Sequence, residues 1–149
     1  MREFNESEFL IETEVPSGEL IISRTDLKGN ITFANETFAQ ISGYEVNELV
    51  GQSHNIVRHP DMPKVIFEEM WKQLKKEGKW EGVVKNLRKD RGFYWVHAIV
   101  SEVYKDGVLV EYKSLRTPIS HQRKLQSQKM YDEMRNLCKE NIRQVIYQN

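Results

Sequence analysis

The sequence predicts a single α+β domain, in which one five-stranded antiparallel sheet carries short helices on one face and is followed by an amphipathic helix. Three observations lead there. The apolar spacing runs in twos, changes to threes and fours, and returns to twos along the chain. Glycine- and asparagine-containing turns separate the alternating runs. The 149 residues, 39% apolar and 30% charged, have ordinary globular composition and suit one core, so any activity must fit inside it.

The elements follow in order. Residues 1–18 set Arg2 against Glu3, Glu6, Glu8, Glu12 and Glu14, an acidic segment of net charge −4 that ends at Pro16-Ser17-Gly18. A globular centre is expected over residues 19–119. It opens with strands at Leu20–Ser23 and Ile31–Ala34, joined through Lys28-Gly29-Asn30, good material for a tight turn. Asn35 is a suitable N-cap and Gly43 a suitable stop for a short helix between them, and Glu45–Val50 before Gly51 predicts another helical turn. Pro63 suits a first helical position ahead of Val65, Phe67, Met70, Trp71 and Leu74, with Gly78 ending the run. Trp80–Arg88, Phe93–Tyr104 and Val108–Arg116 then read as three strands, with hairpin signals at Lys89–Gly92 and Lys105–Gly107. Such an order makes one antiparallel sheet with helices on one face and a pocket between the layers.

Residues 120–149 hold six basic and three acidic side chains, a net of +3. Met130, Met134, Leu137, Cys138, Ile142, Val145 and Ile146 fall largely three or four apart, predicting a C-terminal amphipathic helix. Its stripe is expected to cover its own sheet or the same helix of a second copy in a homodimer.

Composition removes several function classes. With 22 basic and 22 acidic residues there is no global cationic field for a phosphate backbone, so no nucleic-acid partner is expected. The lone Cys138 forms no internal disulfide and no Cys/His set has zinc spacing, as suits a reducing cytoplasm. The acidic start does not resemble a signal peptide, and no run approaches the roughly 20 apolar residues of a span, so a cytoplasmic protein without membrane insertion is expected. Nucleophile triads, paired catalytic carboxylates and phosphate-cradling glycine loops are not visible, which predicts a protein that is not an enzyme.

Thr25-Asp-Leu-Lys-Gly-Asn-Ile-Thr-Phe-Ala-Asn35, Ser42-Gly43-Tyr44, Glu48-Leu-Val-Gly51 and Phe93-Tyr-Trp-Val96, in this order of elements, resemble a PAS domain over residues 19–119. His54-Asn-Ile-Val-Arg-His-Pro-Asp-Met-Pro63, followed by Trp71, Gly78-Lys79-Trp80, Val84-Lys85-Asn86 and Tyr94-Trp95, is similar more narrowly to the flavin-binding PAS domain of bacterial aerotaxis receptors. The resemblance implies the PAS fold and a non-covalently bound FAD, sensed as a proxy for respiratory electron flow. The layout is similar to the small stand-alone sensors of bipartite energy-taxis systems. That likeness implies a separate membrane-bound transducer of the methyl-accepting type as partner.

The resemblance also singles out residues, each with a plainer reading beside it. Arg58, His59 and Asp61 correspond to positions needed for FAD binding: Arg58 offers planar donors to phosphate, His59 a ring donor, and Asp61 an acceptor for a ribose hydroxyl or an orienter of Arg58. They can equally form a solvated loop in which Asp61 caps the next helix. Alternation puts Trp80, Gly82, Val84 and Asn86 on one face. There the Asn86 amide matches a flavin edge, or is satisfied by backbone or water. Gly82 fits a ring lying close to the backbone. Trp80, Tyr94 and Trp95 wall a flat ring or are plain core; alternation admits Tyr94 or Trp95, and Tyr94 is preferred. Asn35 is read first as a helix cap, although relatives have polar contacts there. Haem held by His54, His59, His97 or His121 is the main cofactor alternative, a cofactor-free interaction module the other. No cysteine lies in Ser53–Val57, which disfavours blue-light adduct chemistry.

Overall fold

A computed structural model describes residues 11–137. The strands β1 (Ile21–Thr25), β2 (Ile31–Ala34), β3 (Lys79–Leu87), β4 (Phe93–Lys105) and β5 (Val108–Thr117) form one antiparallel sheet in the order β2-β1-β5-β4-β3. Between β2 and β3 lie α1 (Glu36–Ser42), α2 (Val46–Leu49), a 3-10 turn (His54–Val57) and α3 (Lys64–Glu77); α4 (His121–Leu137) follows β5. The expected α+β sheet with helices is present, each strand within about two residues of its predicted span.

Local chemistry sets the turns and caps. In the β1–β2 turn Asp26 Oδ1 accepts from the Lys28 and Asn30 amides, both at 2.9 Å, while Gly29 takes φ +89°. Asn35 is the cap of α1. Its Oδ1 accepts from the amides of Phe38 (3.0 Å) and Ile22 (3.1 Å), and its Nδ2 donates to the Leu20 carbonyl at 2.9 Å. Both ends of that amide are therefore used in joining α1 to β1. Pro63 is the N-cap of α3 rather than its first helical residue, and the helix buries Ile66 and Leu74.

Strand alternation assigns the two sheet faces. Asn86 stands opposite Tyr94 and Val84 opposite Val96 on the face covered by α1 and α3, where Phe38, Ile21, Leu49 and Val57 complete the core. Lys85 stands opposite Trp95, and Val83 opposite His97, on the other face. That second face is covered by α4, whose Tyr131 ring stacks on Trp95 at 6.4 Å and whose Tyr131 hydroxyl donates to the Val83 carbonyl at 2.5 Å.

The helix buries a different side from the one its apolar spacing predicts. Lys124, Ser127, Tyr131 and Arg135 are buried, whereas Met130 is 48% and Leu137 84% exposed, with Met134 half-buried. The surface beneath explains this: β3 presents the Lys85 ammonium and the Val83 carbonyl, and the neighbouring loop the Asp61 carbonyl, which polar side chains match and methionines cannot. Cys138, Ile142, Val145 and Ile146 lie outside the described residues.

The acidic lead-in reaches this face as well. The Thr13 amide donates to the Phe93 carbonyl at 2.8 Å and the Phe93 amide to Ile11 at 3.0 Å, while Lys124 Nζ bonds Glu12 and Glu14. Glu12 and Glu14 thus meet Lys124 of α4.

Candidate functional site

A cavity of about 320 Å³ lies between the sheet and the layer made by the 3-10 turn and α3. That size is at the small end of the range for ligand pockets. Phe67, Met70 and Trp71 of α3 and Trp80, Val84, Val100 and Tyr112 of the sheet supply flat, apolar walls. Trp71 meets Tyr112 edge to face at 5.4 Å.

The polar end of the cavity is built by Arg116, His54, Ser23 and Asn86. Arg116 is only 2% exposed, and among the described residues no carboxylate pairs with it. It donates from Nη2 to Ser23 Oγ at 2.7 Å and from Nη1 to His54 Nε2 at 3.0 Å, and its guanidinium lies over the Phe38 ring, 4.4 Å from the centroid. Among the described residues its Nε–H has no hydrogen-bond partner. Burial pulls the guanidinium down to about 10, so it remains a cation at neutral pH.

Arginine can only donate, so His54 Nε2 must be the acceptor and the imidazole is neutral with its proton on Nδ1. The ring stacks on Phe38 at 5.7 Å. Part of the His54 surface stays accessible, yet protein surrounds the ring, and this burial together with the Arg116 charge lowers its pKa to about 3.

Among the described residues no Asp or Glu lines the cavity, whereas Lys28 and Arg58 border it besides Arg116. The Arg58 guanidinium rests 4.1 Å from the Phe67 ring centroid. Such a slot suits a planar, electron-poor ring with hydrogen-bonding edges and an anionic substituent.

Of the residues singled out in the sequence, Arg58, Trp80 and Asn86 come together here. His59, Asp61, Tyr94 and Asn35 do not line the cavity. His59 and Asp61 pass around the edge strand β3 and are buried, so the loop is not solvated. Asp61 pairs with Lys85 Nζ at 3.1 Å, and the amide of Asp61 donates to His59 Nδ1 at 3.0 Å. The N-cap residue of α3 is Pro63, whose own side chain makes no cap bond. Tyr94 lies on the cavity side of the sheet but within the packed core. Its hydroxyl, beside Asn86 and Arg116 without a hydrogen bond of good geometry, is pushed up to about 12 by burial. Asn35 is fully used as a cap.

The space over Gly82 is also filled. A Cβ there would lie 2.5 Å from the Trp80 ring, so the glycine lets the Trp80 indole lie flat on β3. Gly82→Ala is expected to push Trp80 into the cavity at a cost of about 1–3 kcal/mol. Thermal unfolding and Trp emission check this.

Sequence reasoning missed Arg116 and Ser23, and weighed His54 only as a haem ligand. That histidine has its Nε2 committed to Arg116 and Ser23, His97 pairs with Glu81 at 3.2 Å on the opposite face, and neither His59 nor His121 lines the cavity. In β5, polar and apolar residues occur on both faces, so alternation gave no signal for Arg116.

Comparison with known proteins bears on this geometry. Residues 31–116 match the family described as the PAS fold. The chain is 49% identical over 105 residues to the aerotaxis receptor of Escherichia coli (strain K12), covering 70% of this chain and 21% of that protein. It is 32% identical over 112 residues to the nitrogen fixation regulatory protein of Klebsiella pneumoniae, covering 74% and 23%. The chain therefore spans about a fifth of the length of these relatives. Among solved structures, the PAS domain of a protein from Colwellia psychrerythraea superposes with a TM-score of 0.62 at 26% identity, over 67% of this chain and 86% of that one. A light-oxygen-voltage domain studied with a flavin analogue gives 0.63 at 21% identity, over 76% and 86%, a likeness of fold.

Proposed function

Since this chain belongs to the PAS-fold family, we propose that it is a redox sensor that holds FAD non-covalently in the cavity and reports its state to a separate membrane-bound transducer. The observation that carries this reading is Arg116, a buried cation without a carboxylate, set beside Asn86 at the end of an aromatic slot whose lining holds no acidic residue. A buried charge of this kind is costly unless something compensates it. FAD offers a planar apolar ring, a polar edge rich in acceptors, and a pyrophosphate.

In this reading Arg116 and Asn86 hold the polar edge, Trp71, Trp80 and Tyr112 flank the ring, and Arg58 and Lys28 meet the phosphates at the rim. When bound, the flavin supplies a reversible electron carrier whose ring nitrogens change proton content on reduction. Arg116 is a fixed donor and cation, which favours the more electron-rich form. Asn86 can present either its carbonyl or its NH₂ group and so answer a change of donor to acceptor. His54, neutral by geometry, keeps Arg116 oriented.

The likeness to the Escherichia coli aerotaxis receptor supports energy taxis as the setting. We place the chain in the cytoplasm, acting without catalytic turnover, with a methyl-accepting-type transducer as the partner and a homodimer through α4 or a sheet face as its own assembly. Among the described residues no helix is long and apolar enough to cross a membrane.

The test is spectroscopic. Purified protein loaded with FAD and desalted is expected to stay yellow, and Arg116→Met to lose the colour while remaining at least as stable as wild type without flavin, because a costly buried charge is gone. Arg58→Ala and Asn86→Ala are expected to retain less FAD. Folded wild-type protein that stays colourless overturns the reading in favour of a cofactor-free interaction module.

A further inference from the structure

We infer that the cavity is also a receptor site for small planar aromatic carboxylates, whose carboxylate pairs with Arg116 and whose ring takes the slot proposed for the flavin. Competition with flavin rests on the FAD reading above; binding of the acid stands without it.

Charge carries the first step. Lys28, Arg58, Lys113 and Arg116 line the cavity, and among the described residues no Asp or Glu does. Of these cations only Arg116 is buried. Its acceptors, Ser23 Oγ and His54 Nε2, are neutral groups, so they orient the guanidinium without cancelling its charge. The Phe38 ring beneath it holds the same plane in place. Neither acceptor exhausts the hydrogens of the nitrogen that reaches it, since each terminal nitrogen of a guanidinium carries a pair. A cation fixed in this way, with N–H groups to spare, is set to meet a carboxylate.

FAD answers that charge incompletely. Its phosphates are its anionic part and lie, in the reading above, at the rim with Arg58 and Lys28, whereas the oxidised ring that reaches Arg116 is neutral. A carboxylate borne on a ring brings a full negative charge to the buried end. Charge-assisted hydrogen bonds are roughly twice as strong as neutral ones, and the pairing relieves the cost of a lone buried cation.

Shape selects the rest of the ligand. A cavity of about 320 Å³ encloses an acid of one or two fused rings whole, while a dinucleotide must extend past the rim. Trp71, Trp80 and Tyr112 present flat apolar walls that a ring covers and an aliphatic anion leaves bare. Occupation by such an acid displaces the flavin ring, so a pool of aromatic acid sets the share of protein able to report redox state.

The experiment is calorimetric titration of the full chain without FAD at pH 7, using naphthalene-2-carboxylate, the neutral naphthalene-2-carboxamide, and succinate as an anion without a ring. The aromatic acid is expected to bind about tenfold or more tightly than the amide, as suits a hydrogen bond to a charged group, and succinate not to bind. Arg116→Met is expected to abolish the preference for acid over amide, Arg116→Lys to keep part of it, and Lys129→Ala, an exposed cation of α4 outside the cavity, to leave it unchanged. Wild type that binds acid and amide equally, or acid and succinate equally, overturns the inference, as does a preference that survives in folded Arg116→Met. In FAD-loaded wild type the acid is expected to release flavin. Flavin that stays bound while the acid binds beside it overturns the shared slot and leaves the FAD reading intact. Wild type that binds the acid and takes up no FAD overturns the flavin reading and leaves the acid site standing.

Discussion

Between pH 7 and pH 4.5 the protein is expected to lose about 2–3 kcal/mol of folding stability through His54 alone, at a limiting slope of about 1.4 kcal/mol per pH unit. The imidazole has an ordinary value of 6.5 and is lowered to about 3 in the folded state, first by burial and then by Arg116. From pH 6.5 down to about 3 the unfolded chain therefore binds a proton that the folded chain refuses. The contribution is complete above pH 6.5 and is lost progressively as the pH falls through that window. Protonation would also set a second cation against the Arg116 donor that Nε2 now accepts, 3.0 Å away. Urea unfolding at pH 7, 5.5 and 4.5, compared with His54→Gln, checks this: the variant is expected to lose the added slope. Parallel pH profiles for the two proteins would refute the assignment.

Breaking the Lys85–Asp61 pair should be the most damaging single change outside the apolar core. Both side chains are 6% exposed, and removing one partner leaves the other charge buried, at a cost of about 3–5 kcal/mol. For a chain of this length that corresponds to a melting point lower by roughly 10 °C or more. Lys85→Met and Asp61→Asn are each expected to show it, and the double variant to recover most of it, because removing both charges leaves none stranded. Additive losses in the double variant would show that the pair is not the source. The same variants separate two roles for Asp61. It does not line the cavity, so a variant that loses FAD does so through the position of the loop.

Much of this was legible in the order of the residues. The turn at Asp26–Asn30, the Asn35 cap, the Gly43 and Gly78 stops and the three long strands depend on neighbours close in sequence, and they fall where local rules place them. The pairing of Trp80 with Asn86 on one face also follows from alternation alone. The Arg58-His59-Pro60-Asp61 run shows where local reasoning stops. The resemblance singles it out, but the placement of its side chains comes from wrapping an edge strand, and no spacing rule contains that. For α4, the helix was legible and its buried side was not, because the sheet below selects polar partners over methionine.

By itself, then, the sequence determined the elements, their turns, the single core and the presence of a pocket bearing Asn86. Only the tertiary structure decided that β5 lies between β1 and β4, which brings Arg116 to Ser23 and His54, residues 93 and 62 positions away in the chain. The physical reason is that strand order is settled by burial of the whole sheet at once, so a buried cation assembled from three distant segments leaves no trace in any one of them.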